Sequence, residues 1–249
     1  MIRLTHITKI FGKGGNNEIR AVQDVSLELG RHTFTIIVGA NGSGKSTLLN
    51  IISGTEIPTS GNIYLGNQEI TSLPEYRRSK WIARVFQNPV NGVAGGLTIL
   101  ENFRLAALRT SNKNLSPGIS RSFQSEVRNR IAELGMGMEN KLNQPIGTLS
   151  GGQRQALTLL MATMVKPEIL LLDEPTAALD PKSAAMVMTL ADKLTRDHQL
   201  TTLMITHSLK DAQQYGDRII QMAEGRIIRD IEGDKKKALS LNDLYEWFE

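Results

Sequence analysis

The sequence predicts an α/β fold: a mostly parallel sheet, an antiparallel β subdomain and an inserted helical lobe. Three observations predict it. Short apolar runs, HTFTIIVGA, EILLLDEP and TTLMITHS, alternate with helical patterns, as strands of a parallel sheet do. Two longer stretches near the start, IRLTHITKIF and RAVQDVSLEL, flank a Gly/Asn turn, GKGGNN at 12–17, as an antiparallel pair does. Between about 97 and 165 the pattern is helical and breaks the alternation.

Taken in order, the two opening stretches are strands, and HTFTIIVGA is a buried strand. SGKSTLLNIISG is a helix closed by Gly54. PTSGNIYLGNQEI is a turn and an edge strand, and SKWIARVFQ is another strand. LTILENFRLAAL, RSFQSEVRNRIAELG and GGQRQALTLLMATMV are helices, the last ended by Lys166-Pro167, and SNKNLSPGIS at 111–120 is a polar loop. EILLLDEP is a buried strand, KSAAMVMTLADKLTRDH a helix, TTLMITHS a strand and LKDAQQYG a helix. RIIQMAEGRIIRDI is a hairpin turning at Glu224-Gly225. DKKK at 234–237 is a charged linker, and LNDLYEWFE is a short amphipathic end. Its Leu244, Trp247 and Phe248 suit either packing on the core or facing a membrane or partner.

A chain of 249 residues suits one large domain, or one domain with a lobe. It has no cysteine, which excludes disulfides, thiolate metal sites and a cysteine nucleophile. No apolar run is long enough to cross a bilayer, and the N-terminus lacks a signal-peptide pattern, so a soluble intracellular protein is expected. The net charge of +4 suits a solvated surface or an anionic partner. Aromatic content of 5% argues against base stacking.

GANGSGKS at 39–46 fits G-x-x-x-x-G-K-[ST], between a β-branched strand and a helix. Gly39, Asn41, Gly42, Ser43, Gly44 and Thr47 belong to a loop whose amides can face phosphate oxygens. The helix N-terminus behind it adds partial positive charge. Lys45 can reach the β- and γ-phosphates, and the Ser46 hydroxyl can ligate Mg2+. The core is therefore of the P-loop NTPase type. ILLLDEP places Asp173 and Glu174 at the carboxyl end of a buried strand, where ligands of parallel sheets bind. Asp173 can face a metal, and Glu174 a water poised on the γ-phosphate. A second glycine turn, TLSGGQRQ at 148–155, also resembles an anion site at a helix N-terminus.

With the phosphate loop, LSGGQ at 149–153 and LLLDEP in this order, the chain resembles the ATPase subunits of ABC transporters over nearly all of residues 1–230. AALD at 177–180, TH at 206–207 and RVFQN at 84–88 match further motifs of that family. The resemblance implies an ATPase domain over 1–230, with a helical lobe at about 91–160 inserted, and a short tail at 231–249. It implies that ATP on the loop of one chain is capped by Ser150, Gly151, Gly152 and Gln153 of a second copy or a homologous subunit. Phe11 then stacks on adenine, unless it is simply a core residue of its strand. Gln87 contacts Mg2+ and the attacking water. Glu174 is the base, His207 contacts the γ-phosphate and orders the water, and Asp180 reaches across the dimer.

ATP and Mg2+ are the implied ligands. Separate transmembrane permease subunits and an extracytoplasmic substrate-binding protein are the implied partners, and nucleic acid is not. The implied location is peripheral, on the cytoplasmic face of the cell membrane. The docking groove for the membrane subunits lies near Gln87 and residues 88–110, and RRSK at 77–80 either rims it or is a solvated face. The wording around the motifs resembles importers of small solutes, some amino-acid linked. Export or lipoprotein release is the alternative, followed by a soluble ABC protein acting on nucleic acid.

Overall fold

Alternating apolar residues make β1 (Ile2–Phe11) a strand buried on one face, through Ile2 and Leu4. The alternation slips before the next buried residue, Ile7. The register shifts there, and His6 takes a positive φ of 51°, as at a bulge. The computed structural model describes residues 1–14, 17–110 and 118–248. The expected turn at 12–17 and the polar loop at 111–120 thus lie partly outside the described residues.

β1 lies between β2 (Ile19–Leu29) and β4 (Ser60–Leu65), antiparallel to both, and the two-residue β5 (Gln68–Glu69) ends this sheet. The strand expected at an edge is therefore β4, bordered by β5. The second sheet runs β10-β9-β3-β8-β7-β6. Its centre, β3 (Phe34–Val38), β8 (Thr201–Ile205) and β7 (Ile169–Asp173), is parallel, and β3 and β8 are buried at every position. Strands buried along their whole length need cover on both faces. β6 (Ile82–Val85) ends the sheet beside β7. β9 (Arg218–Ala223) runs parallel to β3, and β10 (Arg226–Glu232) pairs back on β9 through Glu224 and Gly225, both at positive φ, the turn foreseen from the sequence.

The chain forms two compact units. The first contains Met1–Arg84, Glu168–Glu174 and Thr195–Glu249. Its core joins Ile2 and Leu4 of β1 to Leu48 and Ile52 of α1 (Lys45–Ser53) and to Ile37, Leu171 and Leu203 of the second sheet. Gly54 closes α1, as expected. α2 (Glu75–Arg78), α7 (Leu209–Gln214), α8 (Gly233–Lys237) and α9 (Leu241–Glu246) complete the unit.

The second unit contains Val85–Pro167 and Pro175–Leu194. It holds α3 (Ile99–Ala107), α4 (Arg121–Ala132), α5 (Gly151–Ala162) and most of α6 (Pro181–Asp197). Buried Ile99, Phe103, Val127, Ile131 and Leu157 supply its core. α5 ends at Ala162, before Lys166-Pro167.

Two charged stretches differ from the sequence reading. Arg78 is neither rim nor solvated: it is fully buried and donates to the carbonyls of Ile51, Ile52, Leu73 and Thr71. Two of these belong to the last turn of α1, whose carbonyls have no partner within the helix. DKKK is no linker but lies in α8, and buried Lys236 donates to the carbonyls of Gln213 and Tyr215 at the end of α7. Long side chains can bury their stems while the charged head serves helix ends. Leu244 of α9 is fully buried, and just after the helix Trp247 is half-buried under the Arg229 guanidinium and Phe248 stays exposed.

Candidate functional site

The turn after β3 is held in shape by its own residues. Gly44 has φ 96°, and a Cβ there would lie 2.2 Å from the Ala21 carbonyl oxygen, so only glycine fits. α1 begins immediately after it, at Lys45. The Lys45 ammonium is folded back onto the loop, donating to the carbonyls of Gly39 (2.8 Å) and Ala40 (2.9 Å). Burial pushes its pKa below the ordinary lysine value, and the nearby Glu174 carboxylate offsets part of that.

A cleft of about 390 Å3 opens over this loop. Residues 41–47 line its floor, Phe11, Ile19 and Arg20 line one wall, and Glu174 and His207 also border it. The volume suits a ligand of nucleotide size. Phe11 is 37% exposed, so it is no core phenylalanine, and the Lys9 ammonium sits 4.9 Å from its ring centroid.

Glu174 follows β7 and has a left-handed backbone, φ 45°, and its backbone N–H donates a hydrogen bond to the Ile205 carbonyl. A non-glycine residue in this region stores strain, which is characteristic of functional sites. The Glu174 carboxylate meets His207 Nε2 at 2.6 Å, which brings together the two residues expected around the attacking water. Asp173, one residue earlier, is bonded to Arg84 of β6, with Nη2 to Oδ2 at 2.6 Å.

The remaining expected residues belong to the second unit. Ser150 and Gln153 form a capping box at the start of α5: Ser150 Oγ accepts from the Gln153 amide, and Gln153 Oε1 from the Ser150 amide. Ser150 and Gly151 are exposed, and Gly152 is buried. A Cβ on Gly152 would meet Ser183 Oγ at 2.5 Å, so this glycine lets α5 approach α6. Asp180 accepts from the amides of Lys182 and Ser183 at the start of α6. Bonds from Ser183 hold its carboxyl below the ordinary aspartate range. Gln87 follows Phe86, whose carbonyl accepts from the buried Gln155 side chain of α5 at 3.1 Å.

Sequence reasoning missed Arg84, Gln155 and the strained Glu174 backbone. Arg84 stood in RVFQN, from which only Gln87 was taken, and S-x-x-Q within SGGQ was a legible capping signal.

The model of the family described as "ABC transporter" matches residues 22–177. This chain belongs to the ABC transporter family. A relative with this ABC chain's full span is the tyrosine transport ATP-binding protein of Clostridioides difficile strain R20291, 38% identical over 100% of this chain and 99% of the relative. The phosphonates import ATP-binding protein PhnC 1 of Ruegeria sp. strain TM1040 is 34% identical over 98% of this chain and 93% of its own. Among solved structures, a dimeric ATP-binding cassette in a post-hydrolysis state bound to ADP and Pi has a TM-score of 0.80 and 31% identity, covering 93% of this chain and 98% of that one. The ABC chain is thus an ATPase on a P-loop α/β core, and ATP is its substrate.

Proposed function

We propose that this chain drives the import of a small solute, of the amino-acid class, through separate transmembrane permease subunits. Relatives named for tyrosine, phosphonate and methionine transport or import support that direction and size of cargo. Among the described residues no helix is long and apolar enough to cross a membrane, which fits membrane work done through partners. The chain acts as a peripheral subunit on the cytoplasmic face, and an extracytoplasmic binding protein delivers the solute. We read residues 1–230 as the ATPase domain with the lobe at about 91–160 inserted, and 231–249 as its tail. The compact unit containing 85–167 supports the lobe.

The observation that carries the catalytic reading is the Glu174–His207 contact bordering the phosphate-loop cleft. Phe11 offers an exposed ring to adenine. The amides and side chains of Gly39, Asn41, Gly42, Ser43, Gly44 and Thr47 hold the phosphates, and Lys45 leaves its loop carbonyls for the β- and γ-oxygens. Glu174 takes the proton of the attacking water, and His207 holds Glu174 in place and contacts the γ-phosphate. In a head-to-tail pair, Ser150, Gly151, Gly152 and Gln153 of the second copy cap the exposed face of the nucleotide, and Asp180 reaches across.

The donor types fit magnesium: the Ser46 hydroxyl in the cleft and the Asp173 carboxylate are hard oxygen donors, and the family resemblance adds Gln87, from the other compact unit, as a third. When bound, the ion supplies charge neutralisation on the β- and γ-phosphate oxygens.

The test replaces Glu174 with glutamine in the full chain. Steady-state hydrolysis falls by about 10²–10⁴-fold while ATP still binds, the range for losing a general base. Unchanged turnover would remove Glu174 from its role. In proteoliposomes with the permease and binding protein, ATP-dependent amino-acid uptake supports import, and outward movement refutes it.

A further inference from the structure

One charged contact near the nucleotide cleft is explained by neither the phosphate loop nor the general base. Arg84 Nη2 donates to Asp173 Oδ2 at 2.6 Å, from side chains only 12% and 14% exposed. Their strands, β6 and β7, are neighbours in the sheet. A shielded guanidinium–carboxylate bond of this length is of the strong, charge-assisted kind. Lys45, a second cation near the cleft, is taken up by the loop carbonyls. Without Arg84, a largely buried carboxylate would lose this direct counter-charge, an expensive state.

We propose that Arg84 is a positioning residue that competes with the magnesium ion for Asp173. This rests on the reading of Asp173 as a metal ligand and deepens it. With nucleotide absent, the guanidinium occupies Oδ2 and holds the carboxylate in place at the strand end. On nucleotide loading, Arg84 gives up the Oδ2 atom to the ion. The chain thereby discourages a metal ion from settling on Asp173 before ATP arrives, because only an ion that also gains phosphate oxygens outcompetes the guanidinium. A purely structural brace would stabilise the fold without touching metal affinity.

The experiment measures Mn2+ binding by electron paramagnetic resonance, with saturating ATP, on the full chain carrying Glu174→Gln to stop turnover. Arg84→Met is expected to tighten Mn2+ binding about five- to tenfold, because a carboxylate closed off most of the time binds more weakly in proportion to its open fraction. Arg84→Lys keeps the charge without the planar fork and is expected to tighten it about twofold, which keeps the test available if the methionine variant does not fold. ATP affinity in EDTA stays unchanged in both, showing an intact phosphate loop. Asp173→Asn in the same assay separates the two readings. If it leaves Mn2+ affinity unchanged, Asp173 is no metal ligand. If it abolishes binding while the Arg84 variants bind Mn2+ equally or more weakly, Asp173 stands and the competition is overturned.

Discussion

Arg78 shows how much a single residue can carry. Its guanidinium is fully buried, yet it meets four backbone carbonyls and closes the end of α1, the helix that begins at the phosphate loop. Burial pushes its pKa down to about 10, still far above neutrality, so the group stays charged. A charged donor at a helix C-terminus is favourable, and losing it strands several acceptors. Arg78→Met is expected to lower stability by about 3 kcal/mol, measured by urea denaturation. Arg78→Lys should recover little of it, since one ammonium has three donors and no planar fork. A lysine variant as stable as the wild type would show that the charge alone matters. From the sequence RRSK reads as surface, because charge is normally solvated. What overrides that reading is contact with carbonyls 5 to 27 residues away in the chain.

At the scale of the element, α5 carries two roles from one short stretch. Its first turn presents exposed Ser150 and Gly151, while its next turn sends buried Gln155 to the Phe86 carbonyl, one residue before Gln87. The helix that carries the signature motif is thereby bonded to the segment that carries the expected metal-contacting glutamine. Gln155→Leu keeps the volume and removes the donor. It is expected to cost about 1 kcal/mol, the net worth of one hydrogen bond, read as a lowered denaturation midpoint. ATP binding to the phosphate loop should persist, because Gln155 lies in the other compact unit. The capping box at Ser150 and Gln153 was readable from residue types and spacing, since a cap is a local bond. The Gln155 bond was not, because its acceptor lies 69 residues away.

For the whole molecule, acid sensitivity follows from carboxylates used as caps. Glu101 is held below its ordinary pKa by the Thr98 hydroxyl and amide, Asp180 by Ser183, and Asp243 by the amide and hydroxyl of Ser240. In each case the folded chain binds a proton less readily than the unfolded one. Their contribution is therefore complete above the ordinary carboxyl values and is lost as pH falls through the folded ones. Stability should decline as pH drops below about 4.5, the ordinary value for Glu101, and Glu101→Gln should flatten that limb. Denaturation midpoints across an acid series check this. An identical slope in the variant would move the sensitivity elsewhere.

The phosphate loop, the strand ending in Asp173 and Glu174, the signature turn and the alternation of strands and helices were all determined by the sequence itself. Each rests on interactions within a few residues: glycine conformation, side-chain periodicity, caps. Only the tertiary structure decided that Arg84 meets Asp173, that Arg78 and Lys236 are buried, and that Gly152 is a close-packing residue beside Ser183. The physical reason is that these residues find their partners across strands and between helices. A side chain's local pattern states what it can bond, and the fold selects which of the distant groups it reaches.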